Sequence, residues 1–138
     1  MGKFRWLDGM SVGVTEFDDD HRRCIAILDD IGSALKEGRL DEGKELCLTL
    51  ISLIESHCNR EEAFLRRLGF ANTDIVIDAQ KDSLKRVKDI SDLISSSADQ
   101  AAKIILEMQS AVADYLLRAD INFKSFVQAA GASDVGRF

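Results

Sequence analysis

Four stretches of the chain carry apolar residues every three to four positions, the spacing of an amphipathic helix, and none alternates as a half-buried strand does. The first covers residues 18–37, with Ile25, Leu28, Ile31 and Leu35 on its stripe and Gly38 as a stop. The second covers 41–68, with Leu46, Leu50, Leu53, Ile54, Phe64, Leu65 and Leu68, and Gly69 stands just past its end. The third covers 73–95, opens on Thr73 as its N-cap, and carries Val76, Val87, Ile90 and Ile94, with Leu84 at the edge. The fourth covers 98–128. Ser97-Ala98-Asp99-Gln100 reads as a capping box at its start, and Ile104, Ile105, Met108, Val112, Tyr115 and Ala119 form its stripe.

Proline, which breaks helix interiors, is missing from the whole sequence. The connections are short, so consecutive helices are expected to run antiparallel. The pattern predicts an all-α, up-down-up-down four-helix bundle in a single domain of residues 1–138. An extended N-terminal arm of residues 1–17, which includes Trp6, precedes it, and a loose tail of residues 130–138 follows.

Composition narrows the function classes. Hydrophobic residues make up 46% and charged residues 30%, the balance of an ordinary globular domain. The net charge of −6 argues against a nucleic-acid partner, which usually meets a basic face, and against an anionic membrane surface. No apolar run approaches the ~18 residues of a membrane span. The opening MGKFRWLDGM lacks the apolar core of a signal peptide, and Trp6 stands where a myristoylation signal needs Ser or Thr. A cytoplasmic location is expected. Cys24, Cys47 and Cys58 have no CxxC spacing and read as free thiols in or near the core. Asp18-Asp19-Asp20 offers a cation-binding run or, more simply, a solvated helix start, where acids meet the positive end of the helix dipole.

The chemistry lies where polar residues interrupt the apolar stripes. His57 follows Leu53 and Ile54 by four and three residues, Glu61 follows His57 by four, and Phe64 and Leu65 continue the same face. His21 holds the same position relative to Ile25, Leu28 and Leu35. These are the only two histidines of the chain, and both fall on stripes that face the interior. A buried carboxylate such as Glu61 needs a metal, a cation, a hydrogen-bonded histidine or a proton beside it. Facing helices of a bundle commonly bring His and Glu together on a metal.

These residues carry a family resemblance. Trp6, Ser11-Val12-Gly13-Val14 and Phe17-Asp18 ahead of His21 look like the N-terminal signature of bacterial hemerythrins. His57-Cys58-Asn59-Arg60-Glu61-Glu62 resembles the family's HxxxE motif, and Leu65 to Gly69-Phe70 the segment after it. The resemblance implies a hemerythrin-like bundle. In that family five histidines and two bridging carboxylates from all four helices hold two irons and O2. Here the third-helix HxxxH pair falls on Val76 and Gln80, and the fourth-helix His and Asp fall on Ala119 and Lys124, or one residue later on Asp120 and Ser125. His21, His57 and Glu61 remain, the counterparts of two histidines on one iron and a bridging glutamate. An intact di-iron centre, and oxygen carriage with it, is therefore not expected.

Two readings follow. In the first, no metal binds: His21, His57 and Glu61 form a buried hydrogen-bonded cluster, to which Gln80 adds hydrogen bonds and in which Lys124 neutralises Glu61. The domain then serves as a regulatory or protein-interaction module, with an unidentified protein partner or a second copy of itself. In the second, His21, His57 and Glu61 hold one iron or zinc ion in a 2-His-1-carboxylate site that senses oxygen or redox state. Asp120 or Cys58 is then the candidate to complete it, although Cys58 is turned ~100° from His57 on the helix. No nucleophile–base pair or phosphate-binding glycine loop points to an enzyme.

Overall fold

The computed structural model describes residues 11–95 and 100–129, and the side chains of 11–94 and 100–116. Four helices account for nearly all of it: α1 (Thr15–Lys36), α2 (Leu40–Arg67), α3 (Thr73–Asp92) and α4 (Ala101–Ala129). A 3-10 turn, Leu93–Ser95, follows α3. Each helix packs on the next and α4 returns against α1, the closed neighbour relation of a four-helix bundle. Among the described residues no helix is long and apolar enough to cross a membrane.

The two tight connections between the first three helices rest on glycine. Gly38 and Gly69 both adopt φ +75, a region open to glycine because it lacks Cβ. Each ends its helix with the same pair of bonds. Gly38 N–H donates to Leu35 O and Arg39 N–H to Ala34 O; Gly69 N–H donates to Arg66 O and Phe70 N–H to Leu65 O. The last carbonyls of α1 and α2 are thus satisfied within a few residues, and the chain reverses sharply.

The apolar stripes meet in two clusters. The larger runs through the middle of the bundle and includes Leu28, Ile31 and Leu35 of α1, Leu50 and Ile54 of α2, Val87 and Ile90 of α3, and Ile104, Met108, Val112 and Tyr115 of α4. The smaller lies towards the start of α1 and the end of α2, where Val12, Val14, Phe17 and Leu65 pack with Phe64, Phe70 and Val76. Along α1, His21 falls between Phe17 of the small cluster and Cys24 of the large one. Along α2, His57 and Glu61 fall between Ile54 and Leu65. A polar layer therefore separates two apolar ones.

Several boundaries differ from the sequence reading. The first helix begins at Thr15, a turn before Asp18, so the arm reaches the bundle earlier. Phe17 needs the helical phase to pack on Leu65 and Phe64, and Asp18 secures the incoming loop by accepting from Ser11 Oγ at 2.5 Å and Val12 N–H at 2.8 Å. Asp18 and Asp20 are both buried, and Asp19 alone remains in solvent, which corrects the expectation of a solvated acidic start. Thr73 is the first helical residue of α3 and not its cap; its hydroxyl donates back to Phe70 O at 2.6 Å. On α3 the buried position is Ile77, with Val76 half-buried at the edge, because the inward face there is Thr73, Ile77, Gln80, Ser83 and Val87. The regular helix yields to the 3-10 turn at Leu93, ahead of the serines. Trp6, Ser97-Ala98-Asp99 and the tail lie outside the described residues.

Candidate metal centre

His21, His57 and Glu61 converge as their spacing implies, all buried to within 1% of full burial. His57 Nε2 lies 2.6 Å from Glu61 Oε2 and 3.1 Å from His21 Nε2. The three ligand-type atoms fall within 4.8 Å of one another. Two ligands on one zinc or iron, at ~2.0–2.2 Å each, stand about 2.9–3.4 Å apart. The histidine pair meets that spacing as it stands, and the His57–Glu61 gap has to widen by a few tenths of an ångström. The cluster therefore has the ligand set and the dimensions for one metal ion.

A second set of groups holds these three in place. Asp20, one residue before His21, turns its carboxylate to His57 and accepts from Nδ1 at 2.9 Å. Arg60 reaches over from α2 and joins that carboxylate at 2.8 Å and the exposed Glu16 at 2.7 Å. Gln80 of α3 donates from Nε2 to Glu61 Oε1 at 2.7 Å. The rings of Phe17 and Tyr115 meet the imidazoles edge-on, with centroids 5.2 Å apart for Phe17–His57, 5.8 Å for His21–Tyr115 and 6.0 Å for His57–Tyr115. Outside Phe17 a cleft of about 200 Å³, lined by Glu16, Arg60, Phe64 and Arg67 among others, opens to solvent.

The electrostatics give each histidine a different state. Burial, and after it the charge of His57, push His21 down to about 3, so it is neutral at pH 7. Burial also works against a charged His57, but Glu61 and Asp20 outweigh it and raise His57 above its ordinary value. In its protonated form His57 gives one N–H to Asp20 and one to Glu61. Neutral His21 offers the lone pair of Nε2 towards His57, which puts its own proton on Nδ1.

Only one proton separates this arrangement from a metal site. The Nδ1–H of His57 belongs to Asp20 in either case, the carboxylate–histidine pairing that orients metal-bound imidazoles. His21 keeps the same tautomer. A cation has only to replace the Nε2 proton of His57 to meet two imidazole lone pairs and Glu61 Oε2.

Among the described residues three buried side-chain polar atoms lack a hydrogen-bond partner: His21 Nδ1, Gln80 Oε1 and the Tyr115 hydroxyl. All three belong to this cluster. The Tyr115 hydroxyl lies beside the Cys58 thiol without hydrogen-bond geometry. Cys58 is not one of the three converging groups. Burial pushes its thiol up to about 12, and likewise Cys24 to about 12 and Cys47 to about 11, so all three are protonated core thiols, in keeping with the sequence reading.

Sequence reasoning thus singled out the three converging side chains and Gln80 but missed Asp20. The available signal was its position beside His21, and the reading of an acidic run as a dipole-favoured helix start obscured it. Of the third-helix pair, Val76 and Gln80, only Gln80 reaches the site. The side chains of Ala119, Asp120, Lys124 and Ser125 lie outside the described residues, and the groups that meet Glu61 among the described ones are His57 and Gln80. No family model, curated protein or solved structure matches this chain.

Proposed function

We propose that the protein is a hemerythrin-like bundle that binds a single iron or zinc ion through His21, His57 and Glu61 and serves in oxygen or redox sensing, with no part in di-iron oxygen carriage. The observation that carries this reading is the divided use of His57: Nδ1 is committed to Asp20 while Nε2 is turned to His21 Nε2 and Glu61 Oε2. Without a metal the 3.1 Å contact is a hydrogen bond to the His21 Nε2 lone pair, and the same two nitrogens with Glu61 Oε2 are the atoms that a cation would meet. Iron on such a set has open positions for a small ligand and can change oxidation state; zinc supplies Lewis acidity alone.

The test is elemental analysis by mass spectrometry of protein purified without chelator. The expected result is close to one metal per chain, lost in His57→Ala while circular dichroism still reports a helical bundle. Two metals per chain with oxo-bridged di-iron absorption would overturn the mononuclear reading.

A second reading has its own support. The imidazolium of His57 between Asp20 and Glu61, with Arg60 on Asp20, closes the buried charges without a metal. On that basis the domain is a metal-free regulatory or protein-interaction module. Essentially no metal in the same analysis, with a stable fold, selects it.

A further inference from the structure

We propose that Gln80 selects what completes the metal's coordination, and that it favours a small ligand with a hydrogen to donate, such as water, hydroxide or hydrosulfide. The inference rests on the mononuclear reading above and adds to it a ligand class and the residue that chooses it.

Gln80 has two ends with separate tasks. Its Nε2 donates to Glu61 Oε1 at 2.7 Å, which occupies that oxygen and leaves Oε2, the one facing His57, to meet a metal. The amide does not reverse, because its oxygen would then oppose a carboxylate oxygen. The direction of Oε1 is therefore fixed by Glu61, and it is a buried acceptor without a donor in a side chain only 2% exposed. Native interiors leave few such atoms, and each asks for an explanation.

Two histidines and one carboxylate leave zinc or iron with at least one position to fill. An incoming ligand that carries O–H, N–H or S–H satisfies Gln80 Oε1 as it binds. A ligand without hydrogen leaves that oxygen unpaired and, if anionic, sets a negative charge near it. Of the other described neighbours, Phe17 brings an aromatic ring to His57, and the Tyr115 hydroxyl lies beside Cys58. Gln80 is thus a positioning residue for Glu61 and the specificity determinant for the exogenous ligand.

The experiment uses the full chain loaded with cobalt(II), whose visible spectrum reports changes in coordination. Hydrosulfide, which has a hydrogen, and azide, which has none, are titrated under anaerobic conditions into the native protein and Gln80→Leu. The ratio of the two affinities cancels any change in the metal's own strength. The native ratio is expected to favour hydrosulfide about tenfold more than the Leu variant does, the worth of one net hydrogen bond. An unchanged ratio, with cobalt still bound one per chain, overturns the proposal and leaves the mononuclear reading standing. Loss of cobalt in Gln80→Leu with retained fold means that Gln80 governs metal binding itself, through Glu61 or by direct ligation, and also overturns it. Failure of the native protein to bind cobalt, zinc or iron at all overturns both. If Gln80→Leu does not fold, Gln80→Asn withdraws both amide ends by one methylene in a polar side chain of the same type and is read the same way.

Discussion

The two halves of the bundle contribute unlike chemistry to one polar layer. α1 and α2 supply every ligand-type atom of the convergence and the groups that charge it: His21, Asp20, His57, Arg60 and Glu61. α3 and α4 supply, among the described side chains, Gln80 and Tyr115, each with a buried polar atom unpaired. Among the described side chains a cation there would be gripped from one side and flanked on the other. That asymmetry supports the reading of one ion with an open face; a pair of ions would need ligands from both halves.

The apolar core provides the contrast that tests this. Leu50→Ala removes a fully buried side chain and should cost about 2–5 kcal/mol while leaving metal uptake at the native stoichiometry. His57→Ala should cost a comparable 3–5 kcal/mol in the metal-stripped protein, because Asp20 and Glu61 are left facing each other across a hole, and it should also end metal uptake. Denaturant titration and elemental analysis of the two variants check the pair. If His57→Ala unfolds no more easily than the native chain, the buried charges are not coupled through His57.

The core was the part most open to sequence reasoning. Apolar residues at helical spacing report burial directly, so the stripes of α1, α2 and, as far as Tyr115, α4 stand where they were expected. The polar layer was legible where a residue type is rare and expensive to bury, as with two histidines and a glutamate on inward faces. Asp20 was not, since an aspartate in the first turns of a helix has a sufficient explanation in the dipole. Nor was the inward face of early α3, where Thr73, Gln80 and Ser83 replace apolar residues and shift the apparent stripe from Ile77 to Val76. Hydrophobic periodicity loses its phase wherever a site replaces the core.

Asp20 and its neighbour sharpen the comparison next. Asp20→Asn keeps the size of the side chain but weakens its hold on His57 Nδ1, and metal affinity should fall about 10–100-fold, the usual effect of losing a group that orients a ligand. Asp19→Asn, one residue away in solvent, should leave it unchanged. Competition with a chelating dye measures both. Equal effects from the two variants would mean that bulk charge, and not the Asp20–His57 bond, governs affinity.

The opposed histidines give a smaller effect with a definite sign. His57, raised in the folded state, adds stability that is fully present below the unfolded value of 6.5 and is lost as pH rises through the folded one. His21, lowered to about 3, acts the other way: below pH 6.5 the unfolded chain takes up a proton that the folded chain refuses, so stability falls as pH falls. For these two groups the stripped protein should be most stable near pH 6.5, with slopes of at most ~1.4 kcal/mol per pH unit on either side. On the mononuclear reading a metal takes the place of the His57 proton, so saturating zinc should remove the decline above pH 6.5. Thermal melts across pH, with and without zinc, separate the two curves; a decline that persists unaltered with zinc bound would place the metal elsewhere.

The smallest effect is expected at the rim. Arg60 joins Asp20, which is buried, and Glu16, which is mostly in solvent, with closely similar geometry. Distance alone would rank the two contacts together. Screening ranks them apart: an exposed ion pair contributes roughly 0–1 kcal/mol, whereas a buried carboxylate left without its cation is much costlier. Glu16→Gln should therefore change stability by less than about 0.5 kcal/mol and leave metal affinity where it was. Arg60 keeps its place through Asp20, and Asp20 keeps His57 aligned. A drop in metal affinity as large as that of Asp20→Asn would reverse this ranking. Arg60 would then depend on its surface partner, and the orientation of a fully buried imidazole would be set from a carboxylate in solvent.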